Sequence, residues 1–220
     1  GTPGRIKDLV GQRCINLSQF ANVVLDETDR MVDIGFIADI KYLISLLPQK
    51  RQSLFFSATV PPKVQHLLQS FVKDAVTISV KVTDTVENIN QDIVKVDSNQ
   101  NKVDKLHDLL IRDGFDKVLI FGRTKRGVQK LSNQLTDRGF RAGAIHGNKS
   151  QSQRQKMLEL FKNNQIRILL ATDVASRGLD IENVSHVINY DLPASYDYYI
   201  HRIGRTGRAN KRGVALTFVS

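Results

Sequence analysis

Cys14 is the only cysteine in the 220 residues, so neither an intrachain disulfide nor a cysteine-based zinc site can form, which fits a reducing compartment. The five histidines are scattered and do not cluster as metal ligands. No apolar run approaches the ~20 residues a membrane span requires, and the start has no secretion-signal pattern. A soluble intracellular protein with no membrane partner is expected. Also missing is the lysine-containing phosphate loop G-x-x-x-x-G-K-[ST], so the chain is not expected to be a complete nucleotidase of that kind. No initiator Met is present. Residues 1–5 read as a loop leading into a helix, as in a piece of something longer. Acids are in deficit: the net charge is +10, with +3 falling in residues 1–82 and +7 in 83–220. Both halves therefore suit a polyanionic partner, although a merely soluble basic surface would give the same totals.

At 41% hydrophobic, the chain can fill one large or two small cores. Residues 6–10 form a short helical patch, and 21–25 a buried strand running straight into Asp26-Glu27-Thr28-Asp29. Helical spacing of apolar residues over 37–47 stops at Pro48. Residues 53–56 read as a short strand, and Pro61-Pro62 open a helix to about 71. The alternation over 76–82 predicts another strand. Residues 83–92 are polar and are expected to link two domains, 1–82 and 93–220. Beyond them the pattern predicts helices over 102–111 and 124–138, the latter stopped by Gly139, and a helix opened by a Ser150/Gln153 capping box. Strands are expected at 118–121, 141–145, 167–171, 184–190 and 213–219. This alternation implies an α/β chain with mostly parallel sheets flanked by helices.

Polar clusters follow five of the expected strands: Asp26-Glu27, Ser57 to Thr59, Gly122 to Thr124, His146-Gly147 and Thr172-Asp173. Open parallel sheets bind ligands at the carboxyl ends of their strands; single clusters of this kind are also what ordinary loops contain. Two carboxylates there can hold Mg²⁺ and orient a water, or simply cap a helix. Residues 199–208, Tyr-Ile-His-Arg-Ile-Gly-Arg-Thr-Gly-Arg, gather three arginines and a histidine around two glycines. A continuous helix would put His201, Arg205 and Arg208 on one face, but the glycines favour a helix breaking into a loop. Guanidinium groups match phosphate oxygens bidentately; a solvated basic turn is the alternative. Acids on one side of a phosphate and cations on the other are what phosphoryl transfer needs.

Thr2-Pro3-Gly4-Arg5, Asp26-Glu27-Thr28-Asp29, Ser57-Ala58-Thr59, Gln151 to Arg154, Ala171 to Asp180 and His201 to Arg208 together resemble the DEAD-box family of ATP-dependent RNA helicases, in the family's order and over nearly the whole chain. The resemblance implies two RecA-like domains, the first incomplete, closing on ATP and single-stranded RNA. It implies that Asp26 positions Mg²⁺, Glu27 orients the attacking water, and Asp29, Ser57, Thr59, Arg177 and His201 couple hydrolysis to domain closure. By the same resemblance Asp180 meets the ribose and Arg205 with Arg208 the γ-phosphate.

For RNA it points to Thr2, Gly4 and Arg5 in the first domain, and to Thr124, Gly147, Arg154, Thr172 and Gly178 in the second. Such contacts read the sugar-phosphate backbone with little base specificity. It further implies local prying apart of short duplexes, a cytoplasmic location with a nuclear one left open, and room for protein cofactors. Where the family usually has Ala, this chain has Thr28, which puts a hydroxyl beside the expected metal site. A non-catalytic RNA-binding or scaffolding module and a DNA-translocating helicase of the wider superfamily are the competing readings.

Overall fold

The computed structural model describes residues 1–33, 35–72, 74–79, 88–97, 101–176, 181, 184–207 and 212–219. The chain divides into two compact units, Gly1–Ser79 and Val80–Ser220.

In the first unit, Pro3 stands at the start of helix α1 (Pro3–Gly11), where its missing N–H costs nothing. Strands β1 (Asn22–Leu25) and β2 (Gln52–Phe55) pair in parallel, Val24 opposite Leu54. Their connection carries helices α2 (Thr28–Asp33) and α3 (Ile37–Ser45). Helix α4 (Pro62–Gln69) follows β2 and begins at the expected proline pair. The core joins Leu25, Val32, Ile40, Ile44, Val64 and Leu67. The strand expected over 76–82 is not formed by residues 75–79. Val76 and Ile78 stand 88% and 84% exposed, and without a neighbouring strand alternation has no face to bury; residues 80–82 lie outside the described set.

The second unit is a six-stranded, all-parallel sheet in the order β3-β8-β7-β4-β6-β5, made of β3 (Ile89–Lys95), β4 (Val118–Phe121), β5 (Ala142–Ile145), β6 (Ile168–Ala171), β7 (His186–Asn189) and β8 (Gly213–Val219). Helices α5 (Lys102–Leu110), α6 (Lys125–Asp137), α7 (Gln151–Lys162), the short α8 (Asp173–Ser176) and α9 (Tyr196–Ile203) connect them. Strand β4 is apolar throughout because both its faces are covered. Val118 and Ile120 pack into one core with Leu106 and Leu131, whereas Leu119 and Phe121 pack into the other with Leu158 and Phe161. Three layers result. The capping box at Ser150 is present, and Gly139 stands at φ +89° just after α6, where it serves as the expected stop.

Ile89 to Asp92, expected as part of a polar linker, belong instead to β3, which pairs along its full length with β8. Among the described residues β3 has β8 as its one neighbour, and an edge strand tolerates polar side chains, so composition hid it.

Candidate functional site

In the first unit, Asp26 to Asp29 leave the end of β1 and Ser57 to Thr59 the end of β2, so the parallel register sets them side by side. The two loops are tied by side chains. Asp29, 6% exposed, accepts hydrogen bonds through Oδ2 from the Thr59 backbone N–H (3.0 Å) and hydroxyl (2.9 Å). Ser57 Oγ accepts from the Asp29 N–H at 3.1 Å and donates to the Thr59 carbonyl at 2.7 Å. Asp26 is exposed, and its Oδ1 accepts from the Glu27 N–H at 2.9 Å. Glu27 sits in the left-handed region at φ 50°, a backbone cost of roughly 1–2 kcal/mol for a non-glycine residue that no sequence pattern announces. Its carboxylate pairs with Arg30 one turn on.

Thr28 does not place a hydroxyl beside a metal. It is fully buried, and its Oγ1 donates inward to the carbonyl oxygens of Phe56 (3.1 Å) and Leu25 (3.3 Å), stitching the ends of the two strands. Thr28→Ala should therefore cost about 1 kcal/mol of stability, the net worth of one hydrogen bond, which urea unfolding measures.

Thr2 precedes α1 without a side-chain cap. A Cβ at Gly4 would meet nothing within 4 Å, so steric crowding does not explain that glycine. Arg5 is exposed and pairs with Asp8.

In the second unit, Thr124, Gly147 and Thr172 follow β4, β5 and β6, and in a parallel sheet these ends share one edge. Thr124 Oγ1 caps α6 by accepting from the Gly127 N–H at 3.0 Å. Thr172 is 6% exposed. Arg154 reaches from α7 to the Ala175 carbonyl at 3.3 Å, bringing it to the loop after β6; its buried Nε has no hydrogen-bond partner among the described residues.

The basic stretch behaves differently from one face of a helix. Helix α9 ends at Ile203, Gly204 caps it, and Arg205 to Gly207 turn away. Thr206 donates to the Val184 carbonyl just before β7, and Gly207, at φ +69°, lies so close to Ile89 that a Cβ would stand 2.6 Å from its Cγ1. The turn thus sits at the amino edge of the sheet, opposite the edge that carries Thr124, Gly147 and Thr172. His201 is exposed and Arg205 half-buried. Arg177, Gly178, Asp180 and Arg208 lie outside the described residues.

Arg202, between them, was not singled out by the sequence. It is 2% exposed and grips Asp173 with Nε (2.6 Å) and Nη2 (2.8 Å). Its Nη1 donates to Asn189 Oδ1 and the Asp191 carbonyl, and the guanidinium lies 5.1 Å from the Phe121 ring centroid. The only sequence signal was its place on α9 beside Ile203, on the apolar face.

Two family models match this chain: DEAD/DEAH box helicase over residues 1–67, and helicase conserved C-terminal domain over residues 101–210, half of the chain. The chain belongs to the DEAD-box helicase family. It is 46% identical to the DEAD-box ATP-dependent RNA helicase CshA of Geobacillus kaustophilus and 44% identical to the ATP-dependent RNA helicase CshA of Limosilactobacillus reuteri, in both cases over its whole length. It spans 47% and 44% of those two relatives, less than half of each. Among solved structures, S. cerevisiae Dbp5 bound to RNA and ADP BeF3 superposes with a TM-score of 0.88 at 32% identity, covering all of this chain and 58% of that one. The α/β architecture with parallel sheets is that of the DEAD-box neighbours. Among the described residues no group of three or more His, Cys, Asp or Glu could hold a metal, and no helix is long and apolar enough to cross a membrane.

Proposed function

We propose that the chain is part of an ATP-dependent RNA helicase, with the first unit contributing to a first RecA-like domain, the second unit, β3 included, forming most of a second, and ATP with Mg²⁺ bound by both in the full-length protein. The observation that carries the reading is the buried Asp29 carboxylate fastened to Thr59. It makes the acidic loop and the Ser57 to Thr59 loop one mechanical piece, so a shift at Glu27 during hydrolysis is felt at the end of the neighbouring strand. Ser57 orients this latch, and Arg177 and His201 extend the coupling from the second domain.

Asp26 fits a magnesium ligand: Mg²⁺ is usually held by one or two carboxylates together with substrate phosphates rather than by an all-protein cage, and Asp26 is an exposed acid at a strand end. When bound, the ion neutralises charge on the phosphates. Glu27, turned out of regular helix geometry by its left-handed backbone, orients the attacking water. Asp180 meets the ribose, and Arg205 and Arg208 meet the γ-phosphate.

RNA runs along Thr2, Gly4 and Arg5 in the first domain and Thr124, Gly147, Arg154, Thr172 and Gly178 in the second. A relative whose structure is bound to RNA and ADP BeF3 supports RNA as the partner; the choice of residues rests on the family resemblance and on helix amino ends and hydroxyls at the strand ends, which suit phosphate and 2′-OH contacts. Backbone contacts of this kind give little base specificity. Local unwinding of short duplexes in the cytoplasm follows as the expected activity, with protein cofactors able to modulate it.

Glu27→Gln in the full-length protein is the test. ATP and RNA should bind as before while turnover falls by roughly 10²-fold or more, the ordinary contribution of a positioned acid-base group. Wild-type ATPase in that variant would remove Glu27 from the chemistry, and equal stimulation of the wild type by RNA and DNA would favour a DNA translocase.

A further inference from the structure

Beside the strand-end edge of the second unit lies a groove of about 460 Å³ between α6 and the loop after β5. Three cations, Lys125, Arg126 and Lys130, line it together with the amides of Gln129, Asn133 and Asn148. No acid stands in residues 125–136. Lys125 and Arg126 occupy the first turn of α6, where the helix dipole favours acids and penalises cations. Local helix stability does not account for them.

The amides are not randomly oriented. His146, 5% exposed, accepts at Nδ1 from the Asn148 N–H at 3.3 Å, so its proton is on Nε2, which faces Gln129 Oε1 at 3.0 Å. With its oxygen occupied, Gln129 donates through Nε2 to Asn133 Oδ1 at 2.8 Å, leaving the Asn133 NH₂ as the end of the relay. Burial above all, with Lys149 and Lys125 adding to it, lowers the His146 pKa and keeps the ring in this neutral, one-donor form. The groove therefore offers N–H groups and positive charge.

We infer that this groove binds backbone phosphates of RNA that extends past the nucleotides held at Thr124 and Gly147. Two observations select RNA over an acidic protein. The groove is continuous with the proposed RNA edge, because Lys125 lies across Gly147 so closely that a Cβ there would stand 3.1 Å from Lys125 Cε. Its lining has no aliphatic side chain and no Phe, Tyr or Trp, whereas protein interfaces are anchored by such groups. Three cations with no acid among the lining residues match phosphodiester oxygens, which only accept; carboxylates would be matched equally, so the choice of RNA rests on the first two observations. The inference rests on the RNA-binding reading given above.

The experiment compares a short oligouridylate, long enough only for the strand-end loops, with one of about 20 nucleotides, a length beyond typical single-strand site sizes. The full-length protein carries Arg126→Gln and Lys130→Gln, both exposed residues. For the long RNA the double variant should bind several-fold more weakly, and the slope of log K against log salt should become shallower by roughly 0.7 for each phosphate no longer neutralised. Short-RNA affinity and the thermal midpoint should not change. Unchanged affinity and slope on the long RNA, or an equal loss on both lengths, overturns the groove assignment while RNA binding itself stands. Loss of polyglutamate binding with long-RNA binding intact overturns it in favour of an acidic protein partner. A wild-type protein that binds neither RNA fails the functional reading instead.

Discussion

Arg205→Ala in the full-length protein is expected to slow ATP hydrolysis by about 10³- to 10⁵-fold, the range seen when an arginine serving a transferring phosphoryl group is supplied or withheld. Folding should survive. Arg205 sits in a turn that its neighbours already fix: the turn is held by backbone bonds from Arg205 to Arg202 and from Thr206 to Ile203, by the Thr206 hydroxyl and by Gly207 against Ile89. Its side chain is half-buried rather than enclosed. Single-turnover hydrolysis with saturating RNA measures the effect, and urea unfolding of the same variant separates it from stability. A variant that loses stability and rate together would make this arginine structural.

Arg202→Ala should do the reverse, costing about 3–5 kcal/mol of stability because removal of one partner leaves a largely buried charge uncompensated. Four hydrogen bonds from one guanidinium hold Asp173 after β6, Asn189 at the end of β7 and the carbonyl of Asp191 beyond it. Truncation would strand the Asp173 carboxylate and leave the Asn189 and Asp191 oxygens without that donor. Asp173→Ala alone should be nearly as damaging, and the double variant should cost clearly less than the two losses added together, the signature of a coupled pair. Additive losses in urea unfolding of the three variants would sink the account. Of two arginines three positions apart in the basic stretch, Arg202 holds the fold and Arg205 is the one proposed to face the reaction.

The two arginines also mark how far the sequence could be read. Strands buried on both faces, such as Val118 to Phe121, announce themselves by continuous apolar character, and Ser150 with Gln153 or Pro62 carry their start signals locally. Local signals could not decide what depends on distant partners. Residues 76–79 alternate as a strand would, yet Val76 and Ile78 find no neighbour. Ile89 to Lys95 look like linker, yet β8 recruits them. The basic stretch does break at Gly204 as its glycines suggest, but composition cannot tell that Arg202 turns toward Asp173 while the turn beyond it packs at the amino edge.

At the acidic loop, the place of residues 26–29 and 57–59 at strand ends was legible in the sequence, but that the two strands are neighbours was not. Nor was the inward turn of the Thr28 hydroxyl, because it depends on which carbonyls the two strands leave at their ends. The left-handed backbone of Glu27 likewise has no signature in residue type.

The pairing of β3 with β8 sets an order of events at the ribosome. The strand that opens the sheet has its one described neighbour in the strand that closes it, Ile89 opposite Gly213 and Lys95 opposite Val219. Everything between them can be synthesised and can begin to condense while β3 still hangs as an unmated ribbon, and loop closure of that span comes late and at an entropic cost. Nascent chains released before Val219 emerges would expose the edges of β3 and β7 that β8 covers, which makes truncation within β8 a route to aggregation.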